Sequence, residues 1–361
     1  MPVQAQRSIK PAQHESPFPR YPDSWVDRLF VWIERRPFPP WLFYLLIILG
    51  LAILGHIVRW FDGSLAPGSF QVIAVVEAPF AVYFFALIHY LNFESRRALA
   101  SFRPVLHVTD EEFIQLEYGL NTIPRWTSIL AVLAGALLGF TSVYLRPESW
   151  GVSAAPSLGL TALITSMANV GAILWVVHTI RQLRAVDRIH LMPTNINPFH
   201  REPLYAFSTL TLPTAIGGLL PVYIYLFFAY YLGVLGPLPY PSPFEAAGLG
   251  LVIVLALAAF ILPLFSMHRR LAQEKARLVA EADQRYSAIL DRFNEQLDEA
   301  RFEDLDATSR AIASLVSQRD ALARISTWPW RPETLRSLLT TIALPVLLYI
   351  ISRLVGRLVG V

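Results

Sequence analysis

One carboxylate lies inside an apolar run of this chain. Glu77 falls in QVIAVVEAPFAVYFFAL, a stretch without any other charged residue. A charge at bilayer depth costs about 3 kcal/mol or more unless it is paired, protonated or open to water. The preceding apolar run brings His56 to a similar depth, so we expect a contact between Glu77 and His56. Such a carboxylate is typical of an ion or ligand contact or a protonatable switch. A hydrogen bond to a neighbouring helix explains it equally well.

Three polar residues form a second candidate feature. Thr161, Thr165 and Asn169 follow one another at four-residue spacing in an apolar run, which places them on one face of a helix. Hydrogen bonds between membrane helices explain such a stripe, and a polar pathway through the membrane is the alternative. In the run before it, small residues recur at the same spacing and predict close helix packing: Ala131, Gly135 and Gly139.

Aromatic residues crowd the end of another apolar run, PVYIYLFFAYYLG. Tyr223, Phe227 and Tyr230 share a helical face, and with Glu77 they would line an amphipathic pocket that favours a cation. A belt of aromatic residues at the membrane surface is the alternative. Two prolines and two glycines precede this segment and predict a bent or interrupted helix, which transporters use to expose backbone to ions: Pro213, Gly217, Gly218 and Pro221.

Several kinds of chemistry are excluded or disfavoured. The chain has no cysteine, so it has no disulfide, thiol nucleophile or cysteine metal site. Nucleotide-binding, zinc-protease and hydrolase motifs are absent, and we therefore expect no enzymatic activity and no cofactor. Asp187, His190, His200 and Glu202 offer metal-ligand types, but the prolines between them do not favour convergence. We predict no metal site there.

The elements that must position these residues are membrane helices. The chain is 54% hydrophobic and only 16% charged, whereas soluble domains are about 25% charged. The apolar residues form runs long enough, or nearly so, to span about 30 Å of hydrocarbon. These runs are 41–58, 70–91, 127–145, 158–180, 207–235, 246–267 and 335–354. We predict an all-α polytopic bundle of about seven transmembrane helices.

The arginines and lysines predict the orientation. Of 30 basic residues, 25 fall in 1–40, 92–125, 181–205 and 268–334. The alternate connections 59–69 and 146–157 hold one arginine each. This bias places the N-terminus and the long loops in the cytoplasm, and predicts a multi-pass protein of the inner cell membrane. The basic residues flank membrane spans, so they do not indicate a nucleic-acid partner.

Capping signals mark the helices outside the spans. Residues 1–23 are proline-rich and polar, and we expect them to be disordered. Ser24 and Asp27 begin an amphipathic helix within 24–40 that we expect to lie in the cytoplasmic interface. In loop 92–125, Thr109 and Glu112 form a capping box for a short helix. Loop 181–205 is the second cytoplasmic connection within the six-helix region 41–267.

The C-terminal part combines a cytoplasmic region with a last membrane helix. Residues 268–327 show amphipathic spacing that predicts a helical hairpin, with a break near 300–306; a single long helix is the alternative. It is a solvated coiled-coil-like element or an oligomerisation domain, and we expect homo-oligomers through it and the last helix. The segment of Trp328, Pro329 and Trp330 is predicted to be a hinge that leads into the last membrane helix. Pro345 is expected to loosen that helix in its middle. Arginines near its far end leave a half-buried, re-entrant or interfacial helix as the alternative to a full span.

Three segments resemble a group of uncharacterised bacterial multi-pass membrane proteins: PPWLFYLL, EPLYAFSTLT and STWPWRPETLR. This resemblance implies no particular activity. The predicted arrangement of spans and cytoplasmic helices is also similar, in architecture alone, to insect odorant and gustatory receptors. That similarity implies a tetrameric, ligand-gated cation channel with a pocket in the outer half of the membrane.

The sequence supports three hypotheses for the function. The first is a receptor or ion channel that senses a small-molecule or ion ligand in an outer-half pocket. The second is a secondary transporter that uses the intramembrane carboxylate Glu77. The third is a membrane scaffold that acts through the cytoplasmic hairpin. All three have the lipid bilayer as their environment.

Overall fold

The fold is a bundle of helices. The computed structural model describes residues 23–192, 194, 196, 198–199, 201–226, 243–298, 305–343 and 347, and no strand occurs in these residues. The helices are α1 (Trp25–Glu34), α2 (Pro40–Phe61), α3 (Val72–Phe102), α4 (Asp110–Asn121), α5 (Arg125–Leu145), α6 (Ala155–Leu191), α7 (Ser208–Leu226), α8 (Pro243–Asp298), α9 (Leu305–Ala323) and α10 (332–343).

Six of these helices are long and apolar enough to cross a membrane: α2, α3, α5, α6, α7 and α8. Their outer surface carries large apolar side chains, such as Leu46 and Ile53 on α2 and Leu137 on α5. A soluble protein rarely exposes so large an apolar surface. The chain is therefore a multi-pass helical membrane protein, as the composition predicted. Half of the seventh predicted span, 335–354, lies outside the described residues.

Polar contacts at both ends show that successive helices run in opposite directions. At the end that carries α1 and α4, Asp27 accepts a hydrogen bond from the amide of Ile123 at 3.3 Å. At the opposite end, Asp62 accepts one from the amide of Ser157 at 2.9 Å. We call these the α1 end and the opposite end. Both α3 and α6 continue beyond their predicted spans at the α1 end, into the predicted loops 92–125 and 181–205.

Close packing of α5 on α6 depends on glycine. A Cβ atom on Gly135 would lie 2.5 Å from the backbone nitrogen of Val170. On Gly139 it would lie 2.5 Å from the Cα atom of Ser166. The predicted packing role of the small-residue spacing is confirmed, because only glycine allows the two backbones to approach this closely.

Helix α7 stays helical across Pro213 and Pro221, so the predicted interruption does not occur, and the alternative of a bent helix stays a prediction. Pro221 has no N–H group and leaves the carbonyl of Gly217 without its helical partner. The Tyr83 hydroxyl donates to that carbonyl at 2.8 Å, which compensates the loss. A Cβ atom on Gly217 would lie 2.7 Å from Leu87 Cδ1, so this glycine serves close packing.

Helix α1 is docked on the bundle. It begins with the capping box that the sequence predicted, formed by Ser24 and Asp27, and it buries Val26, Phe30 and Ile33. At its end, Glu34 accepts from the Arg96 guanidinium at 2.7 Å. The α4 capping box of Thr109 and Glu112 is confirmed as well. This capping box lies at the end of the connection between α3 and α4.

Helices α8 and α9 pack side by side in opposite directions. Helix α8 has 56 residues, which makes it about 84 Å long at ~1.5 Å per residue. Asp283 on α8 pairs with Arg319 on α9 at 2.7 Å, and Lys275 donates to the carbonyl of Ala323 at 2.6 Å. Few side chains are buried between the two helices, so oligomer formation through this pair stays a prediction.

The segment predicted as a hinge packs against α8. The Trp328 ring stacks on His268 with centroids 3.9 Å apart, and Trp330 stacks on Trp328 at 4.3 Å. Pro329 between them is buried. These stacked rings form a packed joint between α9 and α10 in the structure. Pro345, the other residue of the predicted hinge, lies outside the described residues.

Candidate functional site

A buried ion pair joins α2 to α3 near the opposite end of the bundle. Arg59 Nη2 lies 3.2 Å and 3.3 Å from the two carboxylate oxygens of Glu77. Arg59 is 2% exposed and Glu77 7%, so both charges are removed from solvent. Glu77 comes five residues after the start of α3, or about 7.5 Å along the helix. The pair therefore lies inside the apolar part of the bundle.

Helix α6 supplies the third member of this cluster. Arg59 Nη2 also donates to Thr161 Oγ1 at 3.1 Å, so one guanidinium nitrogen serves both neighbouring helices. Gly55 lies one turn before Arg59, and a Cβ atom there would contact Arg59 Nη1 at 3.5 Å. The small residue leaves room for the guanidinium between the helices. We call Arg59, Glu77 and Thr161 the charged cluster.

The expected contact between Glu77 and His56 is corrected by the structure. His56 Nδ1 donates to the carbonyl of Ala52 at 2.9 Å, and its Nε2 accepts from the amide of Gln71 at 3.3 Å. The ring also stacks on Phe70 at 5.2 Å. His56 thus holds the beginning of α3 against α2. Arginine is the stronger partner for a carboxylate because its charge is permanent.

Some buried polar atoms near the charged cluster have no hydrogen-bond partner in the part of the chain that the structure describes. Arg59 Nε and Thr165 Oγ1 are buried and find no hydrogen-bond partner among the described residues. A buried polar atom without a partner costs about 1–3 kcal/mol, and such atoms are rare in native structures. Unused donors and acceptors beside a buried charge pair are a feature of sites that bind a further group.

A polar rim separates the charged cluster from the opposite surface. Ser157, one turn before Thr161, lies 3.1 Å from Ser64 through their hydroxyl oxygens. Burial opposes ionisation of Asp62, but hydrogen bonds from Ser157 and Ser64 outweigh it and hold the pKa of Asp62 below its ordinary value. The rim thus places a fixed negative charge and several hydroxyl groups between the cluster and the surface.

The three residues of the predicted α6 stripe have different surroundings in the structure. Thr161 binds Arg59, and the half-buried Thr165 has a buried hydroxyl oxygen without a partner. Asn169 is half-buried one turn further on. The stripe therefore continues from the charged cluster towards the middle of the bundle.

The predicted aromatic pocket around Glu77 stays a prediction. Tyr223 packs on the apolar core that includes Leu219 and Phe260, and Glu77 pairs with Arg59 of α2. Phe227 and Tyr230 lie outside the described residues.

A second polar cluster lies towards the α1 end, between α3, α4 and α6. His178 Nε2 donates to Asn92 Oδ1 at 2.8 Å, and Asn92 Nδ2 donates to the carbonyl of Asn121 at 3.3 Å. Gln182 donates to the carbonyl of Leu120 at 3.3 Å. His178 Nδ1 and Gln182 Oε1 are buried and have no partner among the residues that the structure describes. No sequence pattern predicted this cluster.

The residues considered as metal ligands have other partners. Asp187 accepts from the Ser266 hydroxyl at 2.5 Å, and His190 Nδ1 donates to the carbonyl of Pro263 at 2.9 Å. Within the described residues, no group of three or more carboxylate or imidazole side chains could hold a metal ion. His200 lies outside them.

Arg59 is the member of this candidate site that the sequence patterns did not predict. It was counted as a charge of the connection 59–69, because the apolar run appeared to end at residue 58. The signal was its spacing: Arg59 follows His56 by three residues at the end of one run, while Glu77 lies near the facing end of the next. An arginine and a carboxylate at matching depths in consecutive spans predict an ion pair.

No family model, curated protein or solved structure matches this chain. The function is therefore inferred from the site itself. Three observations carry the inference: the buried ion pair, the unpaired polar atoms beside it and its position inside the apolar bundle.

Proposed function

We propose that the protein is a secondary transporter that couples the movement of a proton to that of a small anion, with Glu77 as the proton carrier. The buried Arg59–Glu77 pair carries this proposal. Ionisable residues inside membrane helices are expensive and mark ion pathways and proton relays. A pair that one proton can break provides two states with different binding properties.

The exchange follows from charge balance. When a proton binds a Glu77 oxygen, the carboxylate becomes neutral and Arg59 keeps a positive charge without a counter-ion. A buried, unbalanced charge costs several kcal/mol, about 3–5 when one partner of a pair is lost. An anionic solute restores neutrality at Arg59, and release of both solute and proton restores the pair. Each cycle then moves one proton with one negative charge.

The donors at the site fit an anion. Arg59 Nε and the Thr165 hydroxyl are buried without partners among the described residues, and the Thr161 hydroxyl is adjacent. Guanidinium and hydroxyl groups are the usual ligands of carboxylates and phosphates. The solute class that fits is a small carboxylate or phosphate.

The two other hypotheses receive less support. A receptor or channel with an outer-half aromatic pocket requires Tyr223 beside Glu77, whereas the described hydrogen-bond partner of Glu77 is Arg59. A channel also needs a continuous polar path. Along α6 the buried and half-buried polar residues stop at Asn169 and resume at His178, about 14 Å away at ~1.5 Å per residue. Two polar regions separated by an apolar barrier suit a transporter in a closed state.

The orientation follows from the arginines. Because most basic residues lie at the α1 end, we infer that this end faces the cytoplasm. Arg59 strengthens the bias: the structure buries it in the bundle, so the connection 62–71 carries no basic residue. The charged cluster then lies in the outer half of the inner membrane, and the polar rim faces the outside.

Proton flux in liposomes tests the proposal. Purified protein is reconstituted with a pH-sensitive dye inside the vesicles, and acetate, succinate or phosphate is added outside at constant pH. We expect at least one of the three anions to acidify the interior faster than in protein-free vesicles. The Glu77→Gln variant should abolish this protein-dependent rate. Glu111→Gln, a change on the exposed surface of α4, is the matched control and should leave it unchanged.

Infrared difference spectroscopy gives a readout that needs no substrate. Spectra of the reconstituted protein at high and low pH should show the carbonyl band of a buried protonated carboxyl, absent from Glu77→Gln. If Glu77 never takes up a proton between pH 5 and 9, and none of the anions drives flux, the transporter proposal is wrong. A ligand-evoked current under the same conditions would instead favour the receptor or channel hypothesis.

A further inference from the structure

An apolar cavity opens on the side of the bundle. Its volume is about 410 Å³, within the range of about 300–1,000 Å³ typical of small-molecule sites. Residues of α2, α3, α5 and α6 line the cavity, and residues of α1 line it at the α1 end. Among its lining residues are Trp25, Leu29, Ile47, Phe85, Ala136 and Met167.

The lining surface of the cavity is apolar, so no polar group offers specificity inside it. Its margin is formed by side chains that also face outward: Val132 is 38% exposed, Phe140 43% and Leu163 53%. The cavity is therefore continuous with the apolar surface that the spans present to lipid. A hydrocarbon chain is the occupant that such a space can take from a bilayer.

Two arginines lie near the α1 end of this cavity. Arg28 is exposed on α1 between the lining residues Trp25 and Leu29. Arg125 is exposed at the start of α5, seven residues before Val132 and hence on the same face. The hydrogen bond from the Ile123 amide to Asp27 at 3.3 Å holds α1 beside the start of α5. Both guanidinium groups thus belong to the same corner of the molecule.

We infer that the cavity holds one acyl chain of an anionic phospholipid. The chain enters from the membrane leaflet at the α1 end and lies along α5 and α6. The phosphate of the same lipid binds Arg28 and Arg125, which face the headgroup region. This site is separate from the charged cluster, so the inference does not depend on transport.

The two features select different parts of the lipid. Burial of an acyl chain is favourable relative to water but not relative to the lipid interior, so the cavity alone gives little preference among lipids. The arginines supply the preference, because a basic side chain at the membrane surface favours an anionic headgroup by about fivefold. Two arginines are expected to favour phosphatidylglycerol over phosphatidylcholine by about 30-fold.

Photo-crosslinking tests the site. The full-length protein is reconstituted with phosphatidylglycerol that carries a diazirine in one acyl chain, and the modified residues are mapped by mass spectrometry. We expect adducts on cavity residues, Met167 and Ile47 among them, well above those on lipid-facing residues such as Leu133. Ala136→Trp fills the cavity and should remove these adducts. Ala134→Trp places the same ring on the lipid-facing side of α5 and should not.

The arginines are tested without disturbing the bundle. Arg28→Gln with Arg125→Gln changes only exposed side chains, so folding is retained. It should lower cavity labelling by diazirine phosphatidylglycerol about 30-fold in competition with unlabelled phosphatidylcholine. Equal labelling of the cavity and the outer surface, or cavity labelling that survives Ala136→Trp, would overturn the acyl-chain site. Unchanged headgroup preference in the arginine variant would overturn the anionic lipid.

Discussion

The Arg59–Glu77 pair predicts a strong non-additivity in stability. Glu77→Leu leaves the Arg59 guanidinium buried, 2% exposed, with Thr161 as its remaining side-chain partner. Loss of one partner of a buried pair costs about 3–5 kcal/mol, and we expect that loss in the free energy of unfolding. Arg59→Met should cost a similar amount, because it leaves Glu77 buried and charged or forces it to take up a proton.

Removal of both charges should recover most of the loss. The Arg59→Met/Glu77→Leu variant has no stranded charge, and apolar replacement of buried pairs is often neutral or stabilising by about 1–4 kcal/mol. With single losses of about 3–5 kcal/mol each, the coupling energy between the two positions is then at least about 6 kcal/mol. The double variant should be as stable as the native chain but inactive in proton-coupled flux, which separates function from folding.

Unfolding in mixed micelles measures these energies. Stability is followed by titration with sodium dodecyl sulfate for the native chain, both single variants and the double variant. The exposed pair of Arg277 and Glu281 on α8 provides the matched cycle, with an expected coupling of about 0.5 kcal/mol or less. A buried-pair coupling no larger than this control would refute the claim that the pair is desolvated.

Three further predictions concern packing and charge elsewhere. Gly135→Ala should destabilise the protein by about 1–3 kcal/mol, because its Cβ atom overlaps α6. Gly159→Ala has open space around it and should stabilise the protein by about 0.5–1 kcal/mol. Equal effects of the two variants in the same titration would contradict this. Trp328→Ala should destabilise the packing of the joint between α9 and α10 by about 2 kcal/mol and speed proteolysis of α9. An unchanged cleavage rate would argue against the stacking of Trp328 on His268. Burial raises the pKa of Glu34, but its hydrogen bond and charge pairing with Arg96 outweigh this and lower it. The stabilisation is therefore present above about pH 4.5 and lost as the pH falls through the folded-state pKa, and Glu34→Gln should flatten the acid side of a stability-against-pH curve.

Local signals in the sequence predicted local structure well. Ser24 with Asp27 and Thr109 with Glu112 form the capping boxes that their spacing indicates, since a cap depends only on residues within one turn. The apolar runs predicted the spanning helices for the same reason, because length and hydropathy are properties of each segment alone. Gly135 was assigned to close packing from its spacing with other small residues.

Partners between helices could not be predicted in the same way. The choice of Arg59 over His56 for Glu77 depends on α2 continuing to Phe61 and on its rotation against α3. Neither is encoded in the apolar run that ends at residue 58. Trp328 likewise looked like a residue for the membrane surface, whereas its stacking on α8 depends on where the chain returns from α9. Tertiary packing decides these contacts, and single-sequence patterns carry little of it.

Two-sided access to the charged cluster is the most direct test of the account. The chain has no cysteine, so single cysteines can be introduced without a background. Thr165→Cys places a thiol one turn from Thr161 and leaves the ion pair intact. Ser153→Cys and Glu111→Cys report the opposite end and the α1 end.

Right-side-out and inside-out vesicles are then treated with a membrane-impermeant maleimide. We expect position 165 to react from both sides, at rates that change with pH as Glu77 gains or loses its proton. Positions 153 and 111 should each react from one side only, position 153 from outside the cell and position 111 from within. Position 165 reacting from only one side, or from neither, at every pH would contradict transport through the charged cluster.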